Sequence, residues 1–314
     1  MARSTSSPVA VPGATLTRAP GRTTAANLLI SLRPGQWTKN LLVFAGVLFG
    51  QRLGEPTAVA RSLAAFVIFC ALSGAVYLIN DIADRDQDRQ HPVKAIRPIA
   101  SGALAIGTAR IAAAILCAAA LAASAAMGWR FADVAVAYLA LQVLYSGPLK
   151  QIVIVDVLTL ATGFVLRAAA GAVAVDVAIS HWLLVCTLLL ALFIALAKRR
   201  HEIVLLAGDA SSHRPILGEY SAYLLDQMIA VVTASTLIAY IFYTVSPETQ
   251  EKFGTPWLGL TIPFPLYGIF RYLYLVHKRE GGGSPADLLL TDRPLLVCVA
   301  LWALAVALII YRPV

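Results

Sequence analysis

The chain has 314 residues, of which 59% are hydrophobic and only 13% charged, with a mean hydropathy of +0.76 and a net charge of +8. A soluble domain carries about 25% charged residues, so this composition excludes a soluble protein and describes a polytopic membrane protein. In such a chain the positive balance reports orientation, and no nucleic-acid partner is expected.

Residues 1–26 are rich in Ser, Thr, Ala, Pro and Arg and lack the apolar core of a signal peptide, so they read as a disordered cytoplasmic tail. The resulting division is a tail over 1–30 and one transmembrane catalytic domain over 31–314. The stretch LRPGQWTKN, Leu32 to Asn40, sets Arg33, Gln36, Trp37 and Lys39 just ahead of an apolar run. On the residues alone it reads as an interfacial anchor, with Trp at headgroup level and the cations on lipid phosphates.

Nine apolar runs follow, at 40–54, 60–81, 108–128, 132–148, 152–174, 178–198, 226–246, 255–276 and 293–311. All but the first approach the roughly 20 residues a helix needs to span a bilayer, and Pro256, Pro263 and Pro265 should bend or break the eighth. The fold class expected is all-α, with about nine transmembrane helices. Eighteen basic residues fall in the tail and the loops after runs two, four, six and eight, against five on the other side. The first side is therefore cytoplasmic. Cys70, Cys117, Cys186 and Cys298 lie inside apolar runs without metal-ligand spacing, as small buried hydrophobes would.

The most informative stretch is NDIADRDQDRQHPVKAIRPIASG, Asn80 to Gly102. Residues 62–80 carry no charge, and then Asp81, Asp84, Asp86 and Asp88 arrive together. If the helix continues, Asp81, Asp84 and Asp88 stand at i, i+3 and i+7 on one face, while Asp86 lies about 200° from Asp84 and points elsewhere. Clustered carboxylates repel unless a cation sits between them, and hard oxygen ligands at this density suit Mg²⁺ bridged to substrate phosphates. His91, Lys94 and Arg97 follow, cations suited to the same phosphates. The bland alternative is a solvated charged loop that ends a helix.

Three runs carry polar stripes that could line one cavity open to the cytoplasm. The second offers Gly74, Tyr77 and the aspartates; the fourth offers Tyr138, Gln142 and Tyr145 before a break at Ser146–Lys150; the fifth offers Asp156, Thr159, Gly163, Arg167 and Gly171. Asp156 and Arg167 are eleven residues, three turns, apart and nearly eclipse one another. Ionisable groups inside a span are costly, so each is a functional candidate unless it serves a structural ion pair or a pairing with a neighbouring helix. The sixth run ends in Lys198, Arg199, Arg200, His201 and Glu202, a cluster that positive-inside anchoring alone would explain.

The N-D-x-x-D-x-x-x-D pattern of Asn80, Asp81, Asp84 and Asp88 resembles the first aspartate-rich motif of the UbiA superfamily of intramembrane prenyltransferases. In that family the motif holds Mg²⁺ and a substrate diphosphate. Y-S-x-x-L-K, Tyr145 to Lys150, resembles a second motif whose Tyr and Lys meet the diphosphate. The usual second aspartate-rich motif is missing; K-R-x-x-E, Lys198, Arg199 and Glu202, stands in its place. That pattern, R-P-x-Q-W-x-K-N at residues 33–40, and GFVLRAAAGA at 163–172 are similar to the polyprenyl-phosphate phosphoribosyltransferase branch, decaprenyl-phosphate enzymes most specifically.

The resemblance implies a central cavity in a bacterial plasma-membrane protein, phosphoribosyl diphosphate as donor, and a polyprenyl (decaprenyl) phosphate as acceptor. The product would feed decaprenyl-phosphoarabinose and cell-wall arabinan. It gives Lys39, Gln36 and Asn40 a substrate-facing role and sets Lys94, Arg97, Tyr145 and Lys150 on the diphosphate. Lys39, Arg167, Lys198 and Arg199 would serve the ribose 5-phosphate or the lipid phosphate, with Tyr77, Asp156 and Glu202 lining the site. A second metal site is in doubt, and a homo-oligomer stays open. Two alternatives remain: a UbiA-type enzyme moving a prenyl group to an aromatic acceptor, and a transporter of a phosphorylated metabolite.

Overall fold

The computed structural model describes residues 22–90, 93–178, 180–206, 215–278 and 291–311, and every regular element among them is helical. Residues 1–21 of the expected tail and His91 lie outside the described residues. The last part of that tail is ordered: α1, Thr24–Ser31, starts where the Thr23 hydroxyl accepts a hydrogen bond from the Ala26 amide, and buried Asn27 donates to the carbonyl of Ala103.

The first apolar run does not form a long helix. Arg33 takes the left-handed conformation (φ 53°), a 3-10 helix runs over Pro34–Phe44, and α2 follows over Ala45–Phe49. α3, Pro56–Ala83, is 28 residues long, so it spans about 42 Å and carries its last turn beyond a hydrocarbon core of about 30 Å. A short α4, Arg85–Gln90, continues from it. α5, Ile106–Met127, and α6, Trp129–Ser146, are split by Gly128 at φ 126°, a conformation that favours glycine. α7, Val155–Ala174, and α8, His181–Leu206, complete the central pair.

α9, Ala222–Val245, and α10, Pro247–Phe253, are capped by Ser221 and Ser246. The eighth run is broken as its prolines require: a 3-10 helix over Trp257–Thr261 follows Pro256, and α11 over Pro263–Lys278 starts at the second. α12, Arg293–Ile310, is capped by Asp292, which accepts from the Leu295 amide at 3.0 Å and ties α11 to α12 through both carboxylate oxygens on Arg271.

Among the described residues six helices, α3, α5, α7, α8, α9 and α12, are long and apolar enough to cross a membrane. The other three runs are the interrupted first, the broken eighth, and α6, which carries Arg130, Asp133 and Gln142. The nine-run expectation thus resolves into six long apolar helices and three shorter or more polar segments. All four cysteines are free, and Cys70 and Cys298 are buried.

α7 joins two cores. Its Ala170 and Ala174 pack with Val43, Phe69, Leu72, Phe131 and Tyr138, while its Val157 packs with Phe193, Leu196, Leu225 and Tyr272. Its small-residue run lets the first segment reach its backbone: a Cβ on Gly171 would lie 1.9 Å from the Val43 carbonyl oxygen, and one on Gly46 would lie 2.4 Å from the Gly171 carbonyl. The 3-10 segment is therefore pinned against α7, which fixes Lys39 and Asn40 beside the middle of the bundle.

Gly171→Ala has nowhere to put its methyl except into backbone, and overpacking of this kind costs roughly 1–3 kcal/mol or more. Thermal unfolding in detergent should show a clear drop in midpoint for Gly171→Ala. Gly107→Ala, which meets no atom within 4 Å, should leave it unchanged or slightly higher. Equal midpoints for the two variants would contradict the close approach.

Candidate active site

The aspartates stand at the end of α3. The helix breaks at Asp84, yet the Asp84 amide still bonds the Asn80 carbonyl and the Asp88 amide bonds the Asp84 carbonyl, both at 2.8 Å. Helical register therefore survives the break. Asp81 and Asp88 are buried, while the Asp86 side chain is 85% exposed, as the shared-face reading requires. Asp84 departs from that reading: it is half-exposed, and its nearest cation is Lys150, 4.0 Å away.

Asp81 and Asp88 converge on one nitrogen. Arg97 Nη1 donates to Asp88 Oδ2 at 2.6 Å and to Asp81 Oδ1 at 3.2 Å. Arg33 donates to the same Asp81 oxygen, with its guanidinium 4.8 Å from the centre of the Tyr77 ring. Among the described residues no three acidic, His or Cys side chains gather round one point. The donor set nevertheless fits a hard cation: two buried carboxylates already share one positive group, and Asn80 and Asp84 lie within a turn of them.

A second cluster ties α7 to α8. Arg199 donates from Nε to Asp156 (3.0 Å), from Nη1 to Glu202 (2.7 Å) and from Nη2 to the Tyr145 hydroxyl (3.4 Å). Tyr220 donates to the other oxygen of Asp156 at 2.8 Å and accepts from the Ile154 amide. Burial, with that carboxylate alongside, pushes the Tyr220 phenol up to about 12, so it stays a donor. Asp156 thus pairs across helices with Arg199 and not along α7 with Arg167.

Arg167 has its own partners. It donates to Asn40 Oδ1 and the Tyr138 hydroxyl, each at 2.7 Å, and to the Gly163 carbonyl at 2.8 Å. Asn40 in turn donates to Ser73 and Cys70. Every guanidinium nitrogen of Arg167 and of Arg199 therefore already donates to a protein acceptor. Through these bonds Arg167 and Asn40 fix the first segment on α7, and Arg199 fixes α8.

Lys39 and Lys198 differ from them. Lys198 is about half exposed, its ammonium 4.0 Å from Glu202. Lys39 lies outside the six long helices. Burial first, and then the nearby charges of Lys198, Arg167 and Arg33, lower its ammonium from the usual lysine range to about 8. Gln36 is half-buried on the same 3-10 segment, and Lys94 opens a 3-10 turn over Lys94–Ile96, three residues before Arg97. The sequence reading had Arg33 only as an interfacial cation and did not single out Tyr220. The left-handed turn that swings Arg33 onto Asp81 leaves only an Arg-Pro dipeptide as its signal, and Tyr220 carries none.

The profile of the UbiA prenyltransferase family matches residues 40–291. The chain belongs to the UbiA prenyltransferase family. This UbiA protein is 33% identical to a decaprenyl-phosphate phosphoribosyltransferase of Corynebacterium glutamicum, over 94% of this chain and 90% of that one. It is 32% identical to the protein of the same name from Mycolicibacterium smegmatis, over 94% of this chain and 96% of that one. Among solved structures, a UbiA homolog from Archaeoglobus fulgidus bound to GPP and Mg²⁺ superposes with a TM-score of 0.71 at 20% identity, covering 90% of this chain and 99% of that one. The same homolog bound to DMAPP and Mg²⁺ gives 0.70 at 19%, covering 91% and 100%. At that identity the likeness concerns the fold, which is that of UbiA proteins.

Removing either buried carboxylate takes away one of the two charges that converge on Arg97. Asp81→Asn and Asp88→Asn should each lower turnover by about a hundredfold or more and weaken Mn²⁺ binding measured by electron paramagnetic resonance. Asp86→Asn should leave both within about twofold, because its side chain is in solvent. An Asp86 variant as damaged as the other two would refute the shared-face reading.

Proposed function

We propose that this UbiA protein transfers a 5-phosphoribosyl group from phosphoribosyl diphosphate to a polyprenyl phosphate, releasing diphosphate. The observation that carries this reading is the gathering of Lys198, Arg33 and Arg167 within electrostatic reach of Lys39. A chamber so rich in cations suits two phosphorylated substrates better than a prenyl diphosphate and a neutral aromatic ring. The relatives named decaprenyl-phosphate phosphoribosyltransferase support the same pair, with decaprenyl phosphate as the natural acceptor.

The lipid phosphate is already anionic near neutral pH, so its oxygen attacks ribose C1 without a strong general base. The bond between C1 and the diphosphate oxygen breaks with positive character developing at C1, and diphosphate leaves with the electron pair. Asp81, Asp84, Asp88 and Asn80 would hold Mg²⁺, which when bound supplies charge that neutralises the leaving group. Lys94, Arg97, Tyr145 and Lys150 clamp that diphosphate, with Arg97 exchanging its carboxylate partners for diphosphate oxygens. Lys39 and Lys198 take the ribose 5-phosphate and the lipid phosphate, and Gln36, Tyr77 and Glu202 line the chamber. The polyprenyl tail leaves sideways between helices into lipid. The site faces the cytoplasm of a bacterial plasma membrane, on the basic side of the chain, and the product enters decaprenyl-phosphoarabinose and cell-wall arabinan synthesis.

Membranes containing the protein, given labelled phosphoribosyl diphosphate, decaprenyl phosphate and Mg²⁺, should yield lipid-extractable label that disappears when the lipid phosphate or the metal is withheld. Label that stays aqueous, together with turnover of a prenyl diphosphate and an aromatic acceptor, would replace this reading with the ordinary prenyl transfer.

A further inference from the structure

The end of the bundle opposite the aspartates carries a cavity of about 440 Å³ that the reaction above does not use. It lies where α3 and α6 begin and α5 and α7 end, and its polar wall is Arg52, Glu55, Thr57, Arg61, Arg130 and Asp176, with Trp129 beside them. Arg61 caps two helices: its Nε donates to the Ala174 carbonyl at 2.5 Å and its Nη2 to the Met127 carbonyl at 3.0 Å, the last residues of α7 and α5. Its Nη1 has no acceptor among the described residues. Arg52 is neutralised by Glu55 at 2.8 Å. Arg130 is not: it lies 5.5 Å from the centre of the Trp129 ring, with no carboxylate in ion-pair range among the described residues. Asp176, held at φ 52°, likewise has no cationic partner among them.

The cavity thus presents two cationic groups with spare donors and one unmatched carboxylate. A phosphodiester joined to an ammonium would satisfy all three. Its surroundings point to a lipid as the source. Trp129 is 70% exposed, and Val136 and Val143 follow it at intervals of seven on α6, also exposed. Residues seven apart share a helix face, so this apolar stripe runs about 21 Å from the cavity mouth, the length of an acyl chain. Tryptophan beside arginine is also what a helix presents at headgroup depth.

We propose that this cavity binds the headgroup of an amine-bearing phospholipid, with the phosphodiester on Arg61 and Arg130, the ammonium on Asp176, and one acyl chain along Trp129, Val136 and Val143. The site is separate from the chemistry, and its ligand is a structural or regulatory lipid, not a substrate.

Native mass spectrometry of the full chain in detergent, with phosphatidylethanolamine, phosphatidylcholine or phosphatidylglycerol added, tests it. Phosphatidylethanolamine should be retained at one per chain, about tenfold more tightly than phosphatidylcholine, whose quaternary amine donates no hydrogen bond. Arg130→Gln should weaken that retention about tenfold, and Asp176→Asn should remove the advantage over phosphatidylglycerol. Both side chains lie at the surface end of the bundle, and an unchanged elution profile checks that the variants fold. Glycerophosphoethanolamine, which lacks acyl chains, should bind about a hundredfold more weakly than the lipid. Wild-type retention in Arg130→Gln, binding indifferent to the headgroup, or equal binding of the chainless headgroup would each overturn the proposal.

Discussion

A charge inside a membrane protein must be answered by another, and that constraint shapes this fold. Asp156 and Arg199 are both almost wholly buried and face one another: Arg199 joins α8 to Asp156 on α7 and also holds Glu202, and Tyr220 closes the second oxygen of Asp156. Breaking a buried pair of this kind by removing one partner costs roughly 3–5 kcal/mol, because the survivor is left uncompensated. Loss of Arg199 would therefore cost packing between α7 and α8 before it cost any substrate contact. Arg167 is answered by dipoles instead, its bonds to Asn40 and the Tyr138 hydroxyl holding the first segment, α6 and α7 together.

These fixed pairs leave a different set of charges free to act. Asp81 and Asp88 share Arg97, and Asp81 also takes Arg33, so the carboxylates are neutralised by side chains from outside α3. Arg33 and Arg97 are partly exposed, whereas Arg199 and Asp156 are buried, so only the first two can change partners without disturbing buried contacts. Lys39 and Lys198 remain as cations near cations, an arrangement whose repulsion is relieved by an anion between them. This end of the bundle therefore has a rigid part, made of satisfied buried pairs, and a more exposed part, made of Arg33, Arg97 and the carboxylates they hold.

Much of this was legible in the sequence. Hydropathy located the helices, and two of the three prolines of the eighth run, Pro256 and Pro263, stand where it breaks. Helical spacing correctly separated Asp81 and Asp88 from Asp86. Asp84 keeps that register but, at the turn where α3 ends, is half-exposed. Spacing put Asp156 and Arg167 on one face of α7 but could not name their partners; that of Asp156 is 43 residues away on α8. Arg33 was hidden for the same kind of reason: its left-handed turn is a property of backbone, and the contact it makes with Asp81 spans 48 residues. The K-R-x-x-E pattern was visible, but only the structure divides its labour, with Arg199 as post and Lys198 as the exposed cation.

The central claim is that Lys39 sits among cations awaiting an anion. Equilibrium binding of phosphoribosyl diphosphate to the purified protein with Mg²⁺, followed from pH 6.5 upwards in steps to about 9.5, tests it most directly. The lowered Lys39 ammonium is charged below about 8 and is lost as the pH rises through that value. The phosphates of the ligand are fully ionised by then, so affinity should hold up to about pH 8 and then fall by up to tenfold per unit. Lys39→Arg, which stays charged throughout, should flatten that fall. Affinity that does not change above pH 8 in the wild type, or that falls equally in Lys39→Arg, would contradict the account.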